Sequence, residues 1–153
     1  MSEFYTEPIV GWRLWHARLH EGEYRLESFT WHHVSWPAGR RFEARCAIHQ
    51  ENAPAPGHEC GIYAFTTRQL AEDLLRRYTG VRRHYGRPDR ELPPLRQGSP
   101  LALGRVSLWG RVVARENGFR AQYAYPYELF LIGGNEGIAR ALRRLYAVDV
   151  CQI

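Results

Sequence analysis

The stretch LGRVSLWGRVVARENGFRAQYAY, residues 103–125, decides the fold. Its first half, Leu103–Ala114, alternates apolar and polar side chains, as is typical of a β-strand with one buried face. Asn117-Gly118 favours the positive backbone angles of a tight turn, and residues 119–125 return with aromatic and alanine side chains on one face. The stretch therefore predicts an antiparallel hairpin. Gly110 in mid-strand indicates a bulge or a close approach of two backbones.

The remaining regular segments are shorter and lie on both sides of this hairpin. Further strands are predicted at residues 9–19, 24–31, 42–48, 61–65, 128–132 and 148–153, and helices at about 67–78 and 136–146. Pro126 is expected to break the return strand. Runs of strands interrupted by two helices predict an α+β fold with a mainly antiparallel sheet.

Both predicted helices carry recognisable N-terminal signals. Thr66 and Gln69 have the spacing of a capping box, and Gly80 is expected to end the first helix. Asn135 is expected to be the N-cap of the second helix.

A chain of 153 residues suits a single domain, residues 1–153. Residues 82–100 are rich in proline and arginine and are predicted to form a long basic loop. No apolar run approaches the roughly 20 residues of a membrane span. The first ten residues carry two acids and no basic group, unlike a signal peptide, so we expect a cytoplasmic location.

Basic residues outnumber acidic ones, and the formal net charge is +5. All 21 basic residues are arginines, scattered from Arg13 to Arg144, which is more typical of a GC-rich coding bias than of a dedicated phosphate site. Without lysine, the chain has neither a P-loop lysine nor a Schiff-base lysine. It also lacks the G-x-S-x-G and H-E-x-x-H motifs.

The segment CAIHQENAPAPGHEC, residues 46–60, places Cys46, His49, His58 and Cys60 in a C-x2-H-x8-H-x-C pattern. Thiolate and imidazole groups are the usual ligands of structural zinc, and four of them close the site. The sequence therefore predicts a structural zinc site. Two other interpretations stay open: a core Cys60 with solvated histidines, or a Cys46–Cys60 disulfide.

The sequence CGIYA, together with the later GRVSLWGRVVARENGFRAQYAYP, resembles a set of small uncharacterised bacterial proteins. In these proteins a cysteine-rich stretch precedes CGIYA, often with a cysteine two residues ahead of its cysteine. His58 occupies that position here, an exchange compatible with a metal ligand. The resemblance covers about half the chain and implies no activity.

Two further clusters are candidates for function. Trp109 is expected to share an exposed strand face with Arg105, Arg111 and Arg115, which would form an arginine and tryptophan contact surface. The adjacent pair His32-His33 is expected at a strand end, where the two side chains point in opposite directions.

The features combine into a first functional hypothesis. We expect a small binding or adaptor module, stabilised by zinc, that contacts a protein or a nucleic acid through the Trp109 surface and the 82–100 loop. The alternative is a small enzyme in which His32 or His33 acts as acid or base on an anionic substrate. No catalytic motif favours the enzyme.

Overall fold

The computed structural model describes residues 2–4, 7–29, 34–46, 53–55, 59–85 and 100–153, with backbone alone at 2–4 and 78–85. Within these ranges the chain forms eight strands and two helices. The strands are β1 (Ser2–Phe4), β2 (Ile9–His20), β3 (Glu23–Ser28), β4 (Phe42–Glu43), β5 (Ile62–Phe65), β6 (Leu101–Ala114), β7 (Gly118–Ile132) and β8 (Asp149–Gln152). The helices are α1 (Arg68–Tyr85) and α2 (Glu136–Tyr146).

The predicted hairpin is the centre of the sheet. β6 and β7 pair along almost their whole length, and β2 runs antiparallel to the other side of β6. β5 pairs with β7 and also touches β2, so β2, β6, β7 and β5 form a closed ring of strands. β3, β1, β4 and β8 extend this ring at its margins, and β8 is the strand that pairs in parallel.

The ring closes at a single residue pair, Trp12 of β2 with Phe65 of β5. Gly11 makes this approach possible, because a Cβ there would lie 2.8 Å from the Cβ of Ala64. Arg13 links the strands next to the closure. Its guanidinium donates to the Tyr63 carbonyl of β5 at 2.5 Å and to the Ser28 hydroxyl of β3 at 3.3 Å.

Two apolar clusters hold the elements together. The larger lies between the inner faces of the strands and α2, and it contains an edge-to-face pair of Trp15 and Trp36 with ring centroids 5.4 Å apart. The smaller lies beneath α1 around Leu14 and Leu103. Each helix thus covers one side of the sheet.

The predicted α+β class is wrong, because the protein is mostly β. The predicted break in β7 is also wrong. Pro126 does not interrupt β7, because it pairs with Val106 of β6. The next pair is Arg105 with Glu128, so Tyr127 is one extra residue in β7 at this point. Two short predicted strands are therefore one long strand.

Other boundaries also differ from the prediction. α1 continues past Gly80 to Tyr85, so the start of the predicted 82–100 loop is helical, while residues 86–99 lie outside the described part. The α1 cap is Thr67, whose hydroxyl accepts from Leu70 N–H at 3.3 Å. Of the predicted strand 42–48, the structure describes residues up to Cys46, and among these Phe42–Glu43 form a strand. The prediction of α2 and of its N-cap Asn135 is confirmed. Neither helix has the combined length and hydrophobicity that crossing a membrane requires.

Candidate functional site: an aromatic and arginine cleft

An open cleft of about 720 Å³ lies where the turn after Trp36 faces the β6–β7 hairpin. We call it the Trp109 cleft. Its volume is within the range of roughly 300–1,000 Å³ that is usual for ligand sites. Its lining comprises Ser107, Trp109 and Gly110 of β6, Tyr125 and Pro126 of β7, the turn Gly39–Arg41, Glu7-Pro8, and Tyr146-Ala147 at the end of α2.

Two tyrosines fix the turn against the sheet and α2. The Tyr125 hydroxyl accepts from Gly39 N–H at 2.9 Å and donates to the carbonyl of Tyr146 at 2.9 Å. The Tyr146 hydroxyl in turn donates to the Trp36 carbonyl at 2.9 Å and accepts from Leu26 N–H at 2.8 Å. Burial of this phenol raises the pKa of Tyr146 to about 12. The two hydroxyl groups therefore connect both ends of the segment from Trp36 to Gly39 to the sheet and to α2.

A β-bulge shapes the floor of the cleft. Trp109 pairs with Tyr123, but the next regular pair is Val112 with Ala121, so β6 has one extra residue here. Gly110 takes up the irregularity with a φ of 77°, and a Cβ there would lie 2.7 Å from the Tyr123 ring. The bulge thus keeps the centroids of the Trp109 and Tyr123 rings 6.0 Å apart.

Two adjacent arginines form the charged rim. The guanidinium of Arg41 lies over the Tyr123 ring, with Cζ 4.0 Å from the centroid. Arg40 lines the Trp109 cleft and also a second cleft of about 430 Å³, whose charged lining further includes Glu21, Glu23 and Arg25. Both arginines are exposed, and neither takes part in any ion pair found in the described part of the chain. The rim therefore carries two positive charges, and Glu7 supplies one negative charge to the same lining.

The predicted contact surface is only partly assembled. Of its four residues, Trp109 alone lines the cleft. Arg105 is engaged by Glu128, with Nε 2.8 Å from Oε1, and this hydrogen bond raises the pKa of Arg105. Arg111 lies in the bulge, where its backbone N–H donates to Gln122 Oε1 at 3.1 Å. Arg115 lies exposed in the turn beyond β6.

Arg40 and Arg41 were missed by reasoning from the sequence. Their signal was present in PAGRR, residues 37–41, where two arginines directly follow a Pro-x-Gly turn. Turns project side chains beyond the sheet, so paired arginines there are candidates for contact.

The classification of the chain as zinc-binding is corrected by the structure. Within the ranges it describes, no group of three or more His, Cys, Asp or Glu side chains is placed to hold a metal ion. Cys46 is buried in the larger core cluster, and the Cys60 sulfur accepts from Ala55 N–H at 2.9 Å. The other two predicted ligands, His49 and His58, lie outside the described residues, and all three cysteines of the chain are thiols.

The histidine pair His32-His33 also lies outside the described residues. The predicted enzyme pocket around it therefore stays a prediction.

Comparison of the chain with models of known protein families, with curated proteins and with solved structures gave no match. The resemblance to small bacterial proteins stays a prediction, and the functional assignment depends on the geometry of the cleft.

Proposed function

We propose that the protein is a small binding module that recognises an anionic partner through the Trp109 cleft. One observation carries this proposal: exposed Arg40 and Arg41, without carboxylate partners among the described residues, adjoin the aromatic pair Trp109 and Tyr123. Aromatic rings provide apolar contact area, and unpaired guanidinium groups provide charge-assisted hydrogen bonds.

The chemistry of the lining favours binding over catalysis. Its titratable side chains are those of Glu7, two arginines and two tyrosines. Tyr146 is held as a neutral phenol by burial, and Tyr125 is engaged on both sides by backbone groups. These groups suit the positioning of a ligand better than proton transfer near neutral pH. A cytoplasmic location is part of the proposal, since the thiol state of the cysteines suits a reducing compartment.

Polyanion titration monitored by NMR tests the proposal. The probes are a short heparin oligosaccharide, poly-L-glutamate and a decamer of thymidylate, each added to uniformly ¹⁵N-labelled protein. We expect at least one probe to shift the Trp109 indole signal and the amides of Gly39 and Gly110. The proposal fails if no probe shifts these signals, or if the shifts centre on another face.

A charge-matched pair of variants sharpens the test. Arg40→Ser with Arg41→Ser removes two charges from the cleft. Arg140→Ser with Arg144→Ser removes two charges from the exposed side of α2. We expect the first variant to lose most of the affinity and the second to keep it. Equal losses would indicate attraction by net charge alone and would contradict a site at the cleft.

A further inference from the structure

We infer that the anionic partner is single-stranded nucleic acid, with an unpaired base stacked at Trp109 and phosphates bound by Arg40 and Arg41. This inference rests on the proposed function and adds the chemical class of the partner. Three features of the cleft carry it: its aromatic floor, its rim and its extension from Trp109 to Arg40.

The floor suits a flat ring. Trp109 is half-buried, and its neighbour Gly110 has no side chain to obstruct the cleft. The Tyr123 ring, inclined at 39° to Trp109, supports it from the side. Every base has a π-face, so stacking on a tryptophan accepts all bases with little sequence preference.

The rim suits phosphate. Arg41 Cζ lies 4.0 Å from the centroid of the Tyr123 ring, and this contact holds the guanidinium at the rim. None of the described hydrogen bonds uses its N–H groups. A planar guanidinium held in this way presents paired donors to a phosphate. A carboxylate partner would compete with phosphate. Glu7 lines the same cleft, but none of the ion pairs among the described residues includes Arg40 or Arg41.

The cleft continues beyond a single nucleotide. Arg40 lines the Trp109 cleft on one side and the 430 Å³ cleft on the other, whose lining includes Glu21, Glu23 and an Arg25 that is ion-paired with Glu23 at 3.0 Å. A chain that places a base at Trp109 can therefore reach a second phosphate contact at Arg40, whereas the carboxylates of Glu21 and Glu23 disfavour phosphates farther along the second cleft. This arrangement predicts tighter binding for oligomers than for mononucleotides.

An unpaired strand fits better than the other anionic polymers. In a duplex the base faces are covered by their neighbours, so Trp109 could contact only the backbone. An acidic peptide supplies carboxylates for the arginines but no regularly spaced rings for the floor. A proline-rich peptide suits an aromatic groove but makes no use of the two positive charges.

Fluorescence anisotropy with labelled decamers tests the inference. We expect thymidylate and adenylate single strands to bind with similar affinity, and a duplex of the same length to bind more weakly at equal salt. Replacing Trp109 by Leu should weaken single-strand binding about 5- to 150-fold, the range for loss of one stacked base. The slope of log affinity against log salt should not change. Trp109→Phe should restore most of the affinity, which a misfolded variant would not.

The arginines should produce a different response. Arg40→Ser and Arg41→Ser should each reduce the slope of log affinity against log salt by about 0.7, the value for one phosphate contact on a single strand. Arg140→Ser is the charge-matched control and should leave the slope unchanged. Tyr63→Leu, at an exposed ring on β5, is the aromatic control and should leave the affinity unchanged.

The outcomes separate this inference from the proposed function. If poly-L-glutamate binds the cleft and displaces thymidylate, the binding function stands and the nucleic-acid inference fails. The inference also fails if the duplex binds as well as the single strand, or if Trp109→Leu has no effect. If no polyanion binds at the cleft, both fail.

Discussion

The hydroxyl group of Tyr125 donates a hydrogen bond to the carbonyl oxygen of Tyr146 at 2.9 Å, and the two ring centroids are 6.4 Å apart. The same hydroxyl accepts from Gly39 N–H. One phenol oxygen thus connects strand β7, the end of α2 and the turn that carries Arg40 and Arg41. The position of the charged rim depends on this oxygen, although Tyr125 itself carries no charge.

Replacement of Tyr125 by Phe removes both hydrogen bonds and keeps the ring. We expect a loss of about 0.5–1.5 kcal/mol in the free energy of unfolding for each bond, because the exposed Gly39 N–H can turn to water. Affinity for the polyanion probe should fall more than the small change in stability explains, because the turn with Arg40 and Arg41 loses its hydrogen bond to Tyr125. Chemical denaturation and anisotropy measure the two effects. Unchanged affinity would show that the turn is positioned by other contacts.

Replacement of Gly110 by Ala tests the bulge in the cleft floor. The φ of 77° disfavours a Cβ, and this Cβ would also press on the Tyr123 ring. We expect a destabilisation of about 1–3 kcal/mol and a displaced Trp109. The matched control is Gly22→Ala in the β2–β3 turn, where φ is also positive, at 81°, but no atom lies within 4 Å of the added Cβ. Equal destabilisation of the two variants would show that contact with Tyr123 is unimportant.

Replacement of Gly11 by Ala tests the closure of the ring. The added methyl group would lie 2.8 Å from Ala64 Cβ and 3.1 Å from the Phe65 carbonyl, so β2 and β5 must move apart. We expect a destabilisation of about 1–3 kcal/mol, typical of overpacking. The double variant Gly11→Ala with Ala64→Gly should recover part of this loss, as measured by denaturant unfolding. Absence of recovery would contradict a direct steric cause.

Alkaline pH tests the buried hydroxyl of Tyr146. Its folded pKa of about 12 is above the ordinary tyrosine value of 10, so between these values the unfolded state loses the proton first. The stability that Tyr146 contributes is therefore complete below pH 10 and is lost as pH rises toward 12. Tyr146→Phe should be less stable than the wild type by about 2 kcal/mol at neutral pH, because Leu26 N–H and the Trp36 carbonyl lose their partner.

The difference between the two proteins should decrease as pH rises from 10 to 12. Burial also lowers the pKa of Arg13. Arg13 is present in both proteins, so its contribution cancels in the difference. A constant difference between pH 9 and pH 12 would contradict the buried, raised pKa of Tyr146.

Local signals were sufficient for some elements. The β6–β7 hairpin follows from alternation and from Asn117-Gly118, and α2 follows from its apolar face and the Asn135 cap. Pro126 misled the prediction, because a proline is tolerated where β7 becomes irregular. Gly80 misled it as well, since a helical glycine costs only about 1 kcal/mol and α1 continues through it.

The site was less predictable than the strands. Gly110 was correctly expected at a bulge, but the bulge itself changes what lies beside Trp109. Strict alternation predicted that Arg111 and Arg115 share a strand face with the Trp109 indole. The extra residue of the bulge interrupts this alternation, and the arginines that line the cleft are Arg40 and Arg41. The two-residue alternation of a strand predicts which side chains share a face only as far as the next bulge.

The sequence by itself determined the hairpin, the second helix, the positive charge and the absence of lysine, because each depends on neighbouring residues or on composition. Only the tertiary structure decided that the sheet closes between Trp12 and Phe65, and that Arg41 lies over Tyr123. These contacts join segments far apart in the chain. They depend on long-range hydrogen bonds such as that of Tyr125 and on the space left by Gly11. The local pattern of apolar and polar residues does not predict either feature.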